Sequence, residues 1–238
     1  NLKKRKLILL LSIIWLTGNI FFFKTISLFI NNKSINFFLS SFTISVEASN
    51  ILLPIGISYL IFRLIHYLVE VYRKSIPKVS FINFALYILF FPTFLVGPIE
   101  RFGKFYPQSN GIRSLEPSKF NYGLYRILKG VTKKVFADNF IKLLMPILYA
   151  PEIYSRIFLV FSIYGLMLQL YMDFSGYADI AIGISRLFGY EIIENFNRPF
   201  FQKNIALFWR NWHISLYTWI RDYFFFPSDS SGYGPGRG

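Results

Sequence analysis

The sequence predicts an all-α protein that crosses a membrane several times. Apolar residues occupy 54% of the 238 positions and charged residues only 16%, a balance that water-soluble domains of this length rarely have. The 29 Phe, 16 Tyr and 4 Trp suit both helix-packed interiors and the interfaces between lipid and water. We therefore expect a polytopic bundle of transmembrane helices, a single helical membrane domain over residues 1–227.

Net charge and cysteine content exclude several classes of protein. The formal net charge is +14, but the basic residues lie mostly between apolar runs. This distribution favours topology signals and contact with anionic lipid headgroups over a nucleic-acid groove. Because the chain has no cysteine, disulfides, thiolate metal sites and cysteine nucleophiles are excluded. Membrane lipids are expected as partners, and nucleic acid is not.

Apolar runs in the first half of the chain predict membrane segments. Seventeen uncharged residues, 7–23, follow the basic cluster 3–6 and predict a retained span whose basic end faces the cytoplasm. Residues 51–71 predict a second span, and 79–99 is the clearest one. Pro92 breaks this uncharged run and implies a kink. The weaker stretch 26–42 predicts a hairpin or an interfacial segment.

The second half alternates basic and apolar stretches. Eight Lys and Arg residues follow residue 99 within thirty-five positions, and they predict a cytoplasmic loop with a basic amphipathic helix at 120–138. Residues 140–150 and 157–172 are apolar, and 178–188 resume the apolar pattern after a polar break. A helix, a broken polar segment and a second helix often line cavities at membrane depth. We expect five to seven membrane segments in total.

Histidine chemistry is restricted to two positions, His66 and His213. His213 lies in 204–219, which predicts one helix with its first residue as N-cap. A neutral imidazole with a pKa of about 6.5 takes a proton from a hydroxyl that attacks an acyl carbonyl. Arg210 or Arg221 would stabilise the developing negative charge or hold a phosphate-bearing donor.

Each histidine also has a structural interpretation. Spacing by itself favours an interfacial His213 that binds headgroups or backbone carbonyls. His66 is expected to be structural, because one helix supplies no nucleophile or acceptor beside it.

A polar segment, 173–179, places two carboxylates next to apolar runs. Charge at membrane depth is costly, so such residues are functional, paired or turned to water. A salt bridge that holds the bundle together is one alternative. Another is a transporter that binds an ion or a lipid-linked sugar without chemistry. Neither Asp173 nor Asp179 is near a histidine in sequence, so a metal site is not expected.

Seven segments carry motifs in a specific order and spacing. They are 53–58, 91–101, 133–138, 171–183, 195–199, 208–216 and 219–227. Together, and above all in Phe208-Trp209-Arg210-Asn211-Trp212-His213, they resemble the membrane-bound O-acyltransferase family. The pattern at 214–216 and 219–227 is similar to the bacterial branch that O-acetylates alginate and other polysaccharides. A sister branch, which moves D-alanine towards teichoic acids, shares the Trp-x-x-Trp-His pattern.

The resemblance implies a helical fold around a tunnel and an enzyme that transfers an acyl group across the membrane. The group, expected to be acetyl, would pass from a cytoplasmic thioester such as acetyl-CoA to a hydroxyl of an extracytoplasmic polysaccharide or partner protein. His213 corresponds to the histidine of the Trp-x-x-Trp-His segment, and its expected catalytic role is to assist proton transfer or to position the donor. The residues expected to contact substrate are Asp173, Ser175, Asp179, Asn197, Trp209, Arg210, Trp212, Arg221 and Asp222.

The same resemblance carries expectations about location, partners and completeness. It implies a multi-pass protein of the bacterial inner membrane that works with an extracytoplasmic or periplasmic acetyltransferase partner and has no bound cofactor. A second family histidine, often assigned the central catalytic role, lies nearer the C-terminus, and no histidine follows His213 in this chain. We therefore expect an inactive fragment, incomplete at both ends, in which 228–238 is a disordered tail or a sequence artefact.

Overall fold

The computed structural model describes residues 2–30, 56–109 and 116–225, and these ranges are helical with no β-strand. The α-helices are α1 Leu2–Ile30, α2 Ile57–Arg73, α3 Phe81–Ile88, α4 Phe102–Ser109, α5 Pro117–Tyr149, α6 Arg156–Leu187, α7 Ile205–Asn211 and α8 Ile214–Ile220. The predicted all-α class is confirmed. Most of the weak stretch 26–42, the start of the predicted span 51–71 and the tail 228–238 lie outside the described residues.

Two of the described helices are long and apolar enough to cross a membrane. They are Lys3–Phe22 within α1 and the whole of α6. The predicted span 7–23 therefore lies in a single helix, and the total of five to seven membrane segments stays a prediction. The chain divides into two compact units, the first holding α1 to α3 with Arg101–Gly103, and the second holding Val96–Glu100 and the residues from Lys104 onwards.

In the first unit, the stretch predicted as the clearest span is not one helix. Helix α3 ends at Ile88, and a single 3-10 turn, Phe91–Thr93, follows it. The interruption expected at Pro92 is confirmed, because proline has no amide hydrogen and disfavours helical geometry in the residue before it. The membrane span over 79–99 stays a prediction. Arg63, buried with 1% of its surface exposed, donates to the carbonyl oxygens of Ile88 at 3.4 Å and Thr93 at 2.9 Å. The guanidinium thus stabilises carbonyls that the interrupted helix leaves without helical partners.

The second unit is built on the antiparallel pair α5 and α6. Helix α5 joins the two predicted segments 120–138 and 140–150 into one helix of 33 residues. Helix α6 runs unbroken through 173–179, so the predicted break in this polar segment was wrong. The acids are bound by cations of the neighbouring helix, and the backbone therefore needs no interruption to bring water to them.

Glycines let α5 and α6 approach closely. A Cβ atom on Gly130 would lie 2.6 Å from the carbonyl oxygen of Gly176, and one on Gly183 would lie 2.6 Å from that of Gly123. Small residues at such crossings allow two helix backbones to come together. The close approach brings the short Asp side chains of α6 within reach of Lys and Arg on α5.

The segment predicted as one helix over 204–219 is broken before His213. Its N-cap is confirmed, since Asn204 Oδ1 accepts the amide hydrogen of Leu207 at 2.8 Å. Helix α7 then ends at Asn211, and His213 takes a left-handed backbone with φ 48° as the N-cap of α8. One continuous helix would place Arg210, His213, Tyr217 and Arg221 on one face, and the break removes that face.

Candidate active site

His213 lies in a backbone clamp formed with an extended segment, 195–197. Phe196 and Trp212 form an antiparallel bridge. On either side of it, the Asn197 amide donates to the Asn211 carbonyl at 3.1 Å, and the Ile214 amide donates to the Asn195 carbonyl at 2.9 Å. These bonds use backbone groups that a continuous helix would need, which explains the break between α7 and α8. The clamp fixes the position from which the imidazole projects.

The side chain of Asn195 determines which nitrogen of His213 carries the proton. Asn195 is completely buried, and its Oδ1 lies 3.2 Å from the Ser215 amide nitrogen, 2.8 Å from Ser215 Oγ and 3.0 Å from His213 Nδ1. An amide N–H only donates, so the atom that meets it must be the carbonyl oxygen of Asn195. Since that oxygen accepts, His213 Nδ1 must be the protonated nitrogen.

Ser215 supports the same assignment from the opposite direction. Its hydroxyl accepts the Ile99 amide hydrogen at 3.0 Å and is left with one hydrogen to donate, which goes to Asn195 Oδ1. The neutral His213 therefore has an unprotonated Nε2. This nitrogen makes no hydrogen bond within the described ranges, and its lone pair is available to take a proton.

Burial keeps the His213 imidazole neutral. Desolvation lowers its pKa from 6.5 to about 4, because the charged form loses hydration that the surroundings do not replace. The ring meets the Phe174 ring edge to face, with centroids 4.7 Å apart and planes at 88°. At neutral pH the group is thus present as a base and not as an imidazolium.

Aromatic rings surround Trp212. Its ring stacks on Phe208 with centroids 5.7 Å apart and contacts Phe196 edge to face at 5.2 Å. Tyr171 on α6 approaches it at 6.0 Å. Trp212 therefore packs α7 against α6, whereas Trp209 has 54% of its surface exposed and contacts Phe208 edge to face, with centroids 5.1 Å apart.

The acids of α6 are held by an ion-pair network with α5. Asp179 Oδ1 lies 2.5 Å from Arg126 Nη2, and Asp179 Oδ2 lies 2.7 Å from Lys133 Nζ. Arg126 also binds Glu194 with both terminal nitrogens, at 2.6 and 2.9 Å. Such bidentate, partly buried pairs are strong and geometrically specific. The network joins α5, α6 and the segment that leads to the clamp.

Two further polar contacts join α5 and α6. Lys133 Nζ donates to Ser175 Oγ at 3.0 Å, and Lys134 forms an ion pair with Asp173. The salt bridge between helices, one of the two interpretations of the acids, is therefore present at both Asp173 and Asp179.

The structure gathers some of the predicted site residues and separates others. A cavity of about 470 Å³ is lined by Ser175, Asp179 and Asn197 and by Ile214, the residue next to His213. Arg210, like Trp209, is exposed to solvent. Arg221 Nε lies 2.7 Å from the Asp222 carboxylate, so these two predicted contact residues bind each other.

Sequence reasoning missed several residues that organise this site. Asn195 and Ser215 lie within quoted motifs, but neither spacing nor composition indicates that they bind His213. Arg126 lies in the predicted basic helix 120–138 and Lys133 in the motif 133–138, but nothing in the sequence pairs them with Asp179 or Glu194. The sequence contains only weak local signals for these roles. Asn195 is an uncharged polar residue next to apolar ones, and Lys133 lies on a helix that packs against the glycines of α6.

The arrangement is suited to taking a proton from a nucleophile. The imidazole of His213 has its lone pair on Nε2, and the next residue, Ile214, lines a polar cavity with several cations on its wall. Within 2–30, 56–109 and 116–225, no three His, Asp or Glu side chains come together as in a metal site.

Comparison with known proteins gives consistent matches. The profile of the membrane-bound O-acyltransferase family matches residues 5–235. The chain is 37% identical over 194 residues to the probable alginate O-acetylase AlgI of Pseudomonas putida, covering 81% of this chain and 40% of that protein. It is 34% identical over 181 residues to the teichoic acid D-alanyltransferase of Bacillus subtilis, covering 74% and 46%. It is 30% identical over 227 residues to the peptidoglycan O-acetyltransferase of Helicobacter pylori, covering 82% and 43%. The chain thus spans less than half the length of each of these three relatives.

Proposed function

The chain belongs to the membrane-bound O-acyltransferase family, and from this premise we propose that the protein transfers an acyl group to hydroxyls of an extracytoplasmic polysaccharide. The group is acetyl, and the donor is an acyl thioester such as acetyl-CoA on the cytoplasmic side. The observation that carries the proposal is the free Nε2 of a neutral His213. Its tautomer is set by Asn195 and Ser215.

In the proposed reaction, His213 acts as general base and then as general acid. Nε2 takes the proton from the acceptor hydroxyl while the oxygen attacks the thioester carbonyl. As the intermediate collapses, the new C–O ester bond is retained and the C–S bond breaks. The leaving thiolate takes the proton from the imidazolium. Asn195 Oδ1 stabilises the transient positive charge by accepting the Nδ1 hydrogen throughout.

The remaining predicted residues take supporting roles in this proposal. Asp173, Ser175, Asp179 and Asn197 hold or line the cavity, and Trp212 positions the clamp. Trp209 and Arg210 contact substrate or lipid from the exposed side of α7, and Arg221 and Asp222 do so from the half-buried turn that follows α8.

The setting follows from the family and from the names of the relatives. We place the protein in a bacterial inner membrane as a multi-pass enzyme, with membrane lipids around α1 and α6. A polysaccharide is the proposed acceptor because relatives are named for alginate and peptidoglycan acetylation. An extracytoplasmic or periplasmic acetyltransferase partner would receive or pass on the acyl group.

One alternative keeps the same chemistry but changes the substrate. The similarity to a teichoic acid D-alanyltransferase favours D-alanyl transfer as a second candidate. The same base and the same ester-forming step serve both reactions, so the site geometry is compatible with either. The transporter interpretation depended on a broken helix at 173–179, and α6 is continuous there.

The experiment compares two labelled acyl groups in native membranes. Cells or membrane vesicles that carry the wild-type protein receive labelled acetyl or labelled D-alanyl donor, and ester label is measured on isolated polysaccharide. Label from acetyl that disappears in His213→Ala, at an unchanged amount of membrane-inserted protein, supports the proposal. Label from D-alanine alone selects the alternative, and full acetylation by His213→Ala refutes the role of this histidine.

A further inference from the structure

The extended segment 190–197, which leads into the backbone clamp, is itself held by two side chains from elsewhere in the second unit. Gln108 pairs with both backbone groups of Glu191: its Oε1 accepts the amide hydrogen at 2.8 Å, and its Nε2 donates to the carbonyl at 2.9 Å. Two residues further on, Glu100 Oε2 accepts the amide hydrogen of Ile193 at 2.9 Å. These contacts fall on every second residue, which is the repeat of an extended chain. The segment is therefore supported before it reaches the clamp.

Of these two side chains, Glu100 holds the backbone more firmly. It is buried, with 2% of its surface exposed, and a carboxylate removed from water is costly unless hydrogen-bond donors replace the lost hydration. Hydrogen bonds to a charged acceptor are roughly twice as strong as bonds between neutral groups. Gln108 is neutral, and its bonds to Glu191 are exposed. The amide of Ile193 is thus the main support of the segment.

The neighbour of Glu100 in the chain holds the other side of the clamp. The Ile99 amide donates to Ser215 Oγ at 3.0 Å, and the Ser215 hydroxyl donates to Asn195 Oδ1 at 2.8 Å. Glu100 acts on the same Asn195 through Ile193, which lies two residues before it. Two consecutive residues therefore connect to both groups that meet the imidazole, and this short link fixes the distance between those groups.

We propose that Glu100 is a positioning residue for His213, which it reaches through Ile193 and Asn195. The Nδ1 hydrogen of the ring is bound by Asn195 Oδ1 at 3.0 Å, and a displacement of about 0.5–1 Å takes that oxygen out of hydrogen-bond range. Loss of the Glu100 oxygen leaves the Ile193 amide without its acceptor, so the segment is free to move. The ring then also populates the tautomer in which Nε2 carries the proton and cannot act as a base.

The test reads the tautomer directly, by solid-state ¹⁵N NMR of histidine-labelled protein in phosphatidylcholine membranes at neutral pH. The chain has only two histidines, and His66→Gln identifies the signals of His213. In the wild type, one ring nitrogen should give the signal of an N–H group and the other that of a free lone pair. In Glu100→Ala the two signals should move towards each other, because exchange with the second tautomer averages them. Glu100→Gln, which keeps an acceptor oxygen at the same place, should give the wild-type spectrum.

Gln108→Ala is the control for general loosening of the segment. It removes two hydrogen bonds at Glu191, four residues before Asn195, so the His213 signals should stay as in the wild type. Unchanged signals in Glu100→Ala overturn the proposal, and so does an equal change in Gln108→Ala. If Glu100→Ala does not fold, Glu100→Asp replaces it. Its carboxylate is one methylene shorter, so the same convergence is expected, and unchanged signals again overturn the proposal.

Acyl transfer is measured separately, because the effect on rate rests on the proposed function and the tautomer does not. Glu100→Ala should lower kcat about tenfold and leave KM for donor and acceptor nearly unchanged, since a buried residue acts on the reaction only through the ring. A loss that only follows the amount of folded protein would make Glu100 a structural residue and overturn the proposal. Converging signals in Glu100→Ala, together with a wild type that transfers no acyl group, refute only the proposed function. Unchanged signals in a protein whose wild type is active refute only this inference.

Discussion

The two histidines of this chain are used in opposite ways. In the first unit, His66 Nε2 accepts the Phe102 amide hydrogen at 2.9 Å, and the ring is buried. In the second unit, His213 donates from Nδ1 to Asn195 and keeps its Nε2 lone pair. The lone pair of His66 Nε2 accepts a backbone N–H and is occupied. In His213 the side-chain oxygen of Asn195 accepts the Nδ1 hydrogen, so the lone pair on Nε2 is available. The identity of the partner atom, more than burial, thus distinguishes a structural histidine from a candidate base.

The largest effect is expected from removal of the available lone pair. His213→Ala should lower acyl transfer about 100- to 10,000-fold, the range for loss of a general base. Initial rates with labelled donor in native membranes measure this change, with protein amount checked by immunoblot. A loss smaller than about tenfold would place His213 with His66 as a structural residue.

Loss of the oxygen that holds Nδ1–H should have the next largest effect. Without the Oδ1 of Asn195, the imidazole is free to adopt the other tautomer and to rotate, so Asn195→Ala should lower kcat about tenfold or more. KM for the acceptor should change little, because Asn195 is fully buried behind the ring. Equal losses in kcat and in the amount of folded protein would show that Asn195 only stabilises the clamp.

Replacement of His66 should lower the free energy of unfolding and leave the acyl-transfer rate nearly unchanged. In His66→Ala, the buried Phe102 amide loses its acceptor, at a cost of about 1–3 kcal/mol. The free energy or midpoint of unfolding in detergent measures this loss, and the transfer rate per folded molecule should stay near that of the wild type. His66→Gln, which restores an acceptor oxygen, is the matched control and should recover part of the stability. A large drop in specific activity would contradict the contrast between the two rings.

The smallest effect is expected from acidification of the wild type. Burial lowers the pKa of His213 to about 4, so His213 binds fewer protons in the folded state than in the unfolded state, where its pKa is about 6.5. The stability linked to this group is fully present above pH 6.5 and is lost as pH falls towards 4. In the folded protein the ring stays neutral down to about pH 5, so the acyl-transfer rate per folded molecule should change little between pH 7 and 5. Initial rates across this pH range measure it.

Asn195→Asp offers a way to reverse that behaviour. A carboxylate at this position still accepts from Ser215 and from Nδ1, but its charge stabilises the imidazolium and raises the pKa of His213. The acid limb of the rate profile should then move to higher pH. A profile that coincides with that of the wild type would indicate that Asn195 does not contact the working ring.

Sequence reasoning predicted elements whose determinants are local. The run 7–23 lies in one helix, and Asn204 caps α7, because apolar length and capping chemistry act over a few residues. The interruption near Pro92 is likewise a local effect that the sequence predicts. The prediction of one helix over 204–219 failed because the distant segment 195–197 binds its backbone. The polar segment 173–179 remained helical because cations more than thirty-five residues away along the chain bind its acids.

What the sequence by itself determined was an all-α membrane protein of the O-acyltransferase family with one histidine in a recognisable motif. The sequence also allowed two interpretations of that histidine, a catalytic base or a residue that binds lipid headgroups, and it did not distinguish between them. Only the tertiary structure decided that Asn195 and Ser215 meet the ring and that Nδ1 carries the proton. The physical reason is that composition and periodicity report short-range preferences, whereas a tautomer depends on acceptors that folding brings together from separate parts of the chain.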